Sequence, residues 1–241
     1  MPTYFISDLH LEDSRPAATE LLLGFLQTRA RDADALYILG DLFEYWIGDD
    51  VLSDTARTVS GALGELSASG VPCYFQHGNR DFLLGKEYAR GAGLQLLPET
   101  QVVDLYGTAT LLLHGDQLCT DDTAYLEFRR QVRNPGFQSM FLQLPVPQRL
   151  EMARNARDAS RRHTGQTEMA IMDVNAEAVC AAFAEHSVLR MIHGHTHRPA
   201  IHHHRLPSRE TAERLVLADW YDSGSFLQLG PEGYEQVPLA D

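Results

Sequence analysis

The sequence predicts an α/β fold that turns antiparallel near its end. Short apolar runs alternate with stretches of helical periodicity through the first two thirds of the chain. From Ala200 onward, short strands follow one another between Gly and Pro turns. A third observation is positional: five of the apolar runs end at an Asp, Asn or His. In open α/β sheets that carboxyl edge is where ligands bind.

The elements follow in order. Thr3 to Ser7 is a strand, and Ala17 to Ala30 a helix through Leu21, Leu22, Phe25 and Leu26. Ala35 to Leu39 is a second strand, Val51 to Ala68 a second helix, and Cys73 to Gln76 a third strand with Cys73 in the core. Gln101 to Leu105 and Thr108 to Leu113 form a hairpin about Tyr106-Gly107. Asn175 to His186 is a helix, and Val188 to Ile192 a strand. His202-His203-His204, inside the antiparallel tail, is expected at the exposed surface.

One segment differs in composition. Between Tyr125 and Gly165 stand eight arginines against three acids, although the chain as a whole carries 33 acidic and 20 basic residues, a formal net charge of -13. The segment also holds Tyr125, Phe128, Val132, Phe137, Met140, Phe141, Leu142 and Leu144. It reads as two or three amphipathic helices broken near Pro135 and Pro145. We treat 122–165 as a helical cap inserted into a single domain of residues 1–241, not as a separate unit.

Charge and cysteine usage narrow the function. The acidic balance is the reverse of that of a general nucleic-acid binder. Lys86 is the only lysine, so the cations are nearly all arginine, suited to bidentate phosphate contacts. Cys73, Cys119 and Cys180 have neither metal nor redox spacing, which predicts a reducing compartment. Asp8 interrupts the first apolar run, no basic residue precedes Arg15, and no apolar run nears the roughly 18 residues of a membrane span. The expectation is a soluble cytoplasmic protein able to touch a membrane surface.

The strand ends carry the chemistry. They read Ser7-Asp8-Leu9-His10, Gly40-Asp41-Leu42-Phe43-Glu44, Gly78-Asn79-Arg80-Asp81, His114-Gly115-Asp116 and His193-Gly194-His195-Thr196-His197. Asp8, His10, Asp41, Asn79, His114, His195 and His197 make a mixed nitrogen and oxygen set without thiolate, suited to Mn, Fe or Zn. Seven ligands are too many for one tetrahedral ion and enough for two ions sharing a carboxylate, the usual clamp for displacement at phosphorus. Glu44 is either an orienting partner within this motif or a surface partner for an arginine.

Taken in order, these five elements resemble the calcineurin-like metallophosphoesterases, over residues 8 to 197. The resemblance implies a four-layer αββα sandwich. It places Asp8, His10, Asp41 and His197 on one metal and Asp41, Asn79, His114 and His195 on the other, with Asp41 bridging. The family commonly has Gly-Asn-His where this chain has Gly78-Asn79-Arg80, and that histidine assists catalysis. Arg80 cannot act as a general acid. A phosphate leaving group departs as an anion without one, so Arg80 favours cleavage of a phosphoanhydride over a monoester.

The run Gly40 to Asp50, Gly78 to Leu83, the arginine-rich cap and Leu217-Ala218-Asp219-Trp220 look like one branch of that family. That likeness implies hydrolysis of the pyrophosphate of a UDP-linked diacyl sugar lipid, giving UMP and a diacyl sugar 1-phosphate, in lipid A biosynthesis. It implies two Mn²⁺ per chain, a water activated by both, and a peripheral place at the cytoplasmic face of the bacterial inner membrane. It implies no nucleic acid and no protein partner. Asp41, Asn79, Arg80 and His195 are then the catalytic residues. Substrate contacts fall at Asn79, Arg80, Asp122, Ser160, Thr164, Thr167 and His195. On physical grounds Tyr125, Phe128, Phe137, Met140, Phe141 and Leu142 can line an acyl slot, and Arg157, Ser160, Arg161 and Thr164 share a helix face. Two other readings stay open: a dinuclear phosphoesterase for soluble nucleotides or phosphodiesters, and a non-catalytic scaffold of the same fold.

Overall fold

In the computed structural model, residues 1–166, 171, 173–221 and 223–239 are described, apart from the side chains of 163–166. The first sheet has six strands. β1 (Thr3–Ile6), β2 (Ala35–Leu39), β3 (Cys73–Gln76) and β4 (Leu94–Leu96) run parallel in that order, and β10 (Ser225–Gly230) and β11 (Gly233–Pro238) join antiparallel on the other side of β1. The second sheet has five strands, ordered β5 (Thr100–Leu105), β6 (Thr108–Leu113), β7 (Arg190–His193), β9 (Thr211–Val216) and β8 (Ala200–Arg205).

Side-chain alternation along the strands makes four layers. Tyr4, Ile6, Leu36 and Ile38 face α1 (Pro16–Gln27), α2 (Asp54–Ala68) and α3 (Lys86–Gly91) in one core. The alternate residues Phe5, Tyr37 and Leu39 meet Leu112, Ile192 and Leu215 between the sheets. Leu111, Leu113 and Met191 face α7 (Ala176–His186) through Val179 and Phe183. The arrangement is the αββα sandwich that the family resemblance implies, and its last strands pair antiparallel as the strand order predicts.

Local signals set most boundaries, and they correct several expected ones. The second helix starts at Asp54, not Val51, because the Ser53 side chain caps it by accepting from the Ala56 N–H at 3.1 Å. The first helix stops at Gln27, short of Ala30, and Arg29–Asp32 tightens into a 3₁₀ turn. The strand expected at Val188–Ile192 runs Arg190–His193, because Ser187 closes α7 in the left-handed conformation and displaces the strand start. Cys73 is fully buried, in the first core. In the histidine run only His203 is exposed; His202 and His204 are half-buried, and His204 Nε2 accepts from Arg214 Nε at 3.2 Å.

Among the described residues, three α-helices lie between β6 and α7: α4 (Thr123–Val132), α5 (Pro135–Leu142) and α6 (Val146–Gln166). Asn134 caps α5 with Pro135 at its first turn, and Pro145 precedes α6. The breaks therefore fall where proline removes a backbone donor. Arg149, 3% exposed, ties α6 to the body by donating to the Ile47 carbonyl and pairing with Asp50.

Strand register positions the site. Ile6 pairs with Ile38 and Leu39 with Gln76, so β1, β2 and β3 end abreast. Leu112 pairs with Ile192, so β6 and β7 also end level. The chain crosses between layers just past these ends, which brings all five motif loops to one edge.

Candidate metal centre

The loops at that edge are bent hard. Asp8, His10, Asp41, His195 and His197 all have φ between 50° and 68°. Non-glycine residues seldom adopt this left-handed region, and a cluster of them marks a site whose geometry overrides local preference. Adjacent glycines permit the close approach. A Cβ at Gly78 would overlap the Asp41 Oδ1 and N atoms, and one at Gly194 would overlap Asp8 Oδ2 and Ser7 Oγ. Gly78→Ala is therefore expected to destabilise the metal-free protein by about 1–3 kcal/mol, as overpacking does; the check is thermal unfolding in chelator.

The fold brings all seven expected ligands together as one connected set. Asp8 Oδ1 lies 3.3 Å from His197 Nε2, and His197 Nε2 lies 3.4 Å from His10 Nε2. Asp41 Oδ2 sits 3.8 Å from His10 Nε2 and 3.7 Å from His114 Nε2. The Asn79 carboxamide places one terminal atom 2.9 Å from both His114 Nε2 and His195 Nδ1. The ligand atoms of Asp8, His10 and His197 cluster within 4.8 Å, as do those of Asp8, Asp41 and His114.

These residues fit a pair of cations. Asp8 Oδ1 is buried and lacks a hydrogen-bond partner, while Oδ2 is held by Ser7 Oγ at 2.6 Å and the His195 N–H at 2.9 Å. Asp41 divides likewise: Oδ1 accepts from the Arg80 N–H at 2.8 Å, leaving Oδ2 between two histidines. One oxygen of each carboxylate is thus fixed by the fold, and the other is turned toward imidazole nitrogens. A divalent ion supplies the positive charge that such a donor set lacks.

The electrostatics agree. Burial pushes His10 and His195 down to about 4, so both are free bases at neutral pH, the form that ligates metal. Burial acts the same way on His114 and His197, but Asp41 and Asp8 beside His114, and Asp8 beside His197, outweigh it and raise both. For Asp8, burial opposes ionisation, yet His197, His114 and His10 hold it well below the usual carboxylate range.

Partners beyond the ligands orient them. Glu44 is buried: one oxygen faces His10 Nδ1 at 2.9 Å, and the other is ion-paired with Arg157 of α6. It is therefore both an orienting carboxylate and an arginine partner. Glu44→Gln is expected to weaken Mn²⁺ binding about 10–100-fold, as loss of an outer carboxylate typically does; calorimetric titration of metal-free protein measures it. Asp81, to which the sequence assigns no role, accepts from the N–H groups of Leu42 at 2.7 Å and Gly78 at 2.9 Å, locking two of the motif loops together. Asp219, in the Leu217-to-Trp220 run and likewise without a role in the sequence, faces His197 Nδ1 at 3.4 Å. Asp116 accepts from Tyr125 OH at 2.7 Å and Arg129 Nε at 2.8 Å.

Two cavities meet at this centre. One, of about 570 Å³, is walled by Phe82, Phe128, Phe137, Phe141 and Ala156, and Tyr125 lines it too. The other, of about 750 Å³, is the more polar of the two and contains His10, Asp41, His195 and His197. Glu44, Asn79, Arg80, Tyr125, Arg157 and Ser160 line both. Arg80 reaches Ser160 Oγ at 3.4 Å. Asp122 caps α4, accepting from the Tyr125 N–H at 2.9 Å, and lines the polar cleft. Met140 and Leu142, expected in the apolar slot, are exposed at 53% and 40%, because α5 presents Phe137 and Phe141 to the cavity instead. Thr167 and the side chain of Thr164 lie outside the described residues.

Known proteins resemble this chain in sequence over its full length. The family model described as calcineurin-like phosphoesterase matches residues 1–199. A UDP-2,3-diacylglucosamine hydrolase of Edwardsiella ictaluri is 52% identical, covering 99% of this chain and 92% of the relative. One of Stenotrophomonas maltophilia is 52% identical over 100% of this chain and 99% of the relative. Among solved structures, Yfce, a phosphoesterase from E. coli, aligns over 100% of both chains with 17% identity and a TM-score of 0.48. The chain belongs to the calcineurin-like phosphoesterases and, within them, to the family of the UDP-2,3-diacylglucosamine hydrolases.

Proposed function

We infer that this chain hydrolyses the pyrophosphate bond of UDP-2,3-diacylglucosamine, giving UMP and 2,3-diacylglucosamine 1-phosphate in lipid A biosynthesis. The observation that carries the reading is the junction of an apolar cavity with a metal-ligand cluster at Asn79 and Arg80. A lipid with two acyl chains needs the first, and a phosphoanhydride needs the second.

Two divalent ions, which we take to be Mn²⁺, would be held by Asp8, His10, Asp41 and His197 and by Asp41, Asn79, His114 and His195, supplying an acidified water and positive charge at phosphorus. The chain's own residues do the rest. Arg80 faces the cleft from the cavity junction and would neutralise the phosphoryl oxygens as charge develops. Its guanidinium cannot donate a proton, and a departing phosphate does not need one. Arg157 and Ser160 border both cavities and would orient the sugar phosphate. Phe128, Phe137 and Phe141 would exclude water from the acyl chains.

We place the protein at the cytoplasmic face of the inner membrane, peripherally bound. No helix among the described residues is long and apolar enough to cross a membrane. Exposed Phe128, Met140, Leu142 and Met152 share the helical segment with its arginines, which suits an anionic lipid surface.

The test is release of UMP from UDP-2,3-diacylglucosamine in detergent with Mn²⁺, beside bis-p-nitrophenyl phosphate. An Ala156→Trp variant fills the apolar cavity. The expected result is lipid turnover lowered at least about tenfold in the variant, by analogy with a blocked hydrophobic pocket, with hydrolysis of the small diester retained. Equal turnover of the lipid and soluble esters by the native chain would instead favour a phosphodiesterase of soluble substrates.

A further inference from the structure

The polar cleft has a wall with no part in the reading above. It extends past the metal-facing residues to Glu12, Arg15, Thr196 and Tyr221, none of which lines the apolar cavity. Tyr221 directly follows the Leu217-to-Trp220 run and is 46% exposed. Its ring lies parallel to that of His10, with centroids 5.0 Å apart, and the Arg15 guanidinium sits 4.7 Å from its centroid.

Arg15 is held in place by carbonyls, donating to His10 O at 3.4 Å, Trp220 O at 3.2 Å and Tyr221 O at 3.3 Å. Among the described residues no carboxylate lies within ion-pair distance of it. The shelf is therefore aromatic, cationic and anchored to the backbone. Nucleobases stack on aromatic rings and on guanidinium planes, and guanidinium groups attract phosphate. Glu12, on the same wall, offers an acceptor for sugar hydroxyls.

We propose that the Tyr221–Arg15 shelf is the subsite for the nucleoside 5′-phosphate half of the substrate. The proposal rests on the reading of the chain as a hydrolase of a nucleotide-linked lipid. The bond cleaved lies between two phosphates, so the two halves extend away from the metal-facing residues in different directions. Acyl chains fit only the apolar cavity, and the nucleoside takes the polar arm.

The experiment measures the affinity of UMP and, separately, of 2,3-diacylglucosamine 1-phosphate for Mn²⁺-supplemented protein by calorimetry. Native chain, Tyr221→Ala, Tyr221→Phe and Arg15→Ala are compared, with Mn²⁺ affinity measured for each. The expected result is UMP binding weakened about tenfold or more in Tyr221→Ala, the range seen for base stacking, and restored in Tyr221→Phe. Arg15→Ala should weaken UMP as well. Binding of the lipid product and of Mn²⁺ should stay within a factor of about two of the native chain. Unchanged UMP affinity in both alanine variants, a parallel loss for the lipid product, or no UMP binding by the native chain overturns the subsite. Failure of the native chain to release UMP from the lipid substrate overturns the underlying reading instead, so the two failures are separable.

Discussion

Asp41→Ala is expected to lower kcat/KM for the lipid substrate by about 10³-fold or more, corresponding to the several kcal/mol that a dinuclear clamp supplies. The carboxylate is 1% exposed and has one oxygen committed to the Arg80 N–H. Its other oxygen stands 3.8 Å from His10 and 3.7 Å from His114, and among the described residues no other carboxylate oxygen is that close to both. Removing it leaves each imidazole set without the shared anion. Asp41→Asn keeps a carbonyl to accept the Arg80 N–H and loses the charge, so it separates folding from chemistry. Both variants should bind fewer than two Mn²⁺ with ordinary affinity, read by elemental analysis after gel filtration. Two tightly bound ions together with activity within tenfold of native would show that Asp41 does not bridge.

Arg80→Ala is expected to cost about 10²–10³-fold in kcat, the range seen when one donor to a developing oxyanion is removed. The substitution is clean, because the contact that shapes the loop is made by the Arg80 main-chain N–H and survives. What is lost is a guanidinium at the junction of the two cavities. Arg80→Lys should recover part of the loss, since lysine restores charge without the planar fork. If Arg80 only held α6 through Ser160, at 3.4 Å, then Ser160→Ala would reproduce the defect. Steady-state kinetics of the three variants decide between these roles.

The candidate metal ligands were legible because strand ends are simple objects in a sequence. β1 and β2 are buried on both faces, so each reads as an unbroken apolar run, and the next polar residue must sit at the sheet edge. The short elements were not legible. β4 has three residues and α3 six, too few to show a period. The site's companions were hidden for another reason. Tyr221 reaches His10 because β10 pairs with β1 and the Trp220 N–H donates to the Asp8 carbonyl at 3.1 Å. That is a contact across more than two hundred residues, and no local pattern announces it. From the sequence Glu44 is either an orienting partner or a surface partner for an arginine; burial rules out the surface, and it faces His10 while pairing with Arg157 inside the fold.

The five left-handed backbone positions leave a trace that does not depend on the metals. An L-residue held there costs roughly 1–2 kcal/mol relative to the right-handed region, and glycine largely escapes that cost. Asp8, His10, Asp41, His195 and His197 therefore oppose the stability of the very loops they sit in. In a chain that kept this fold but abandoned its chemistry, nothing would retain them. Glycine or asparagine should drift first into positions 8, 10, 41, 195 and 197. The residues at those five turns thus record whether a descendant of this fold still holds the centre, and this chain keeps five candidate metal ligands there.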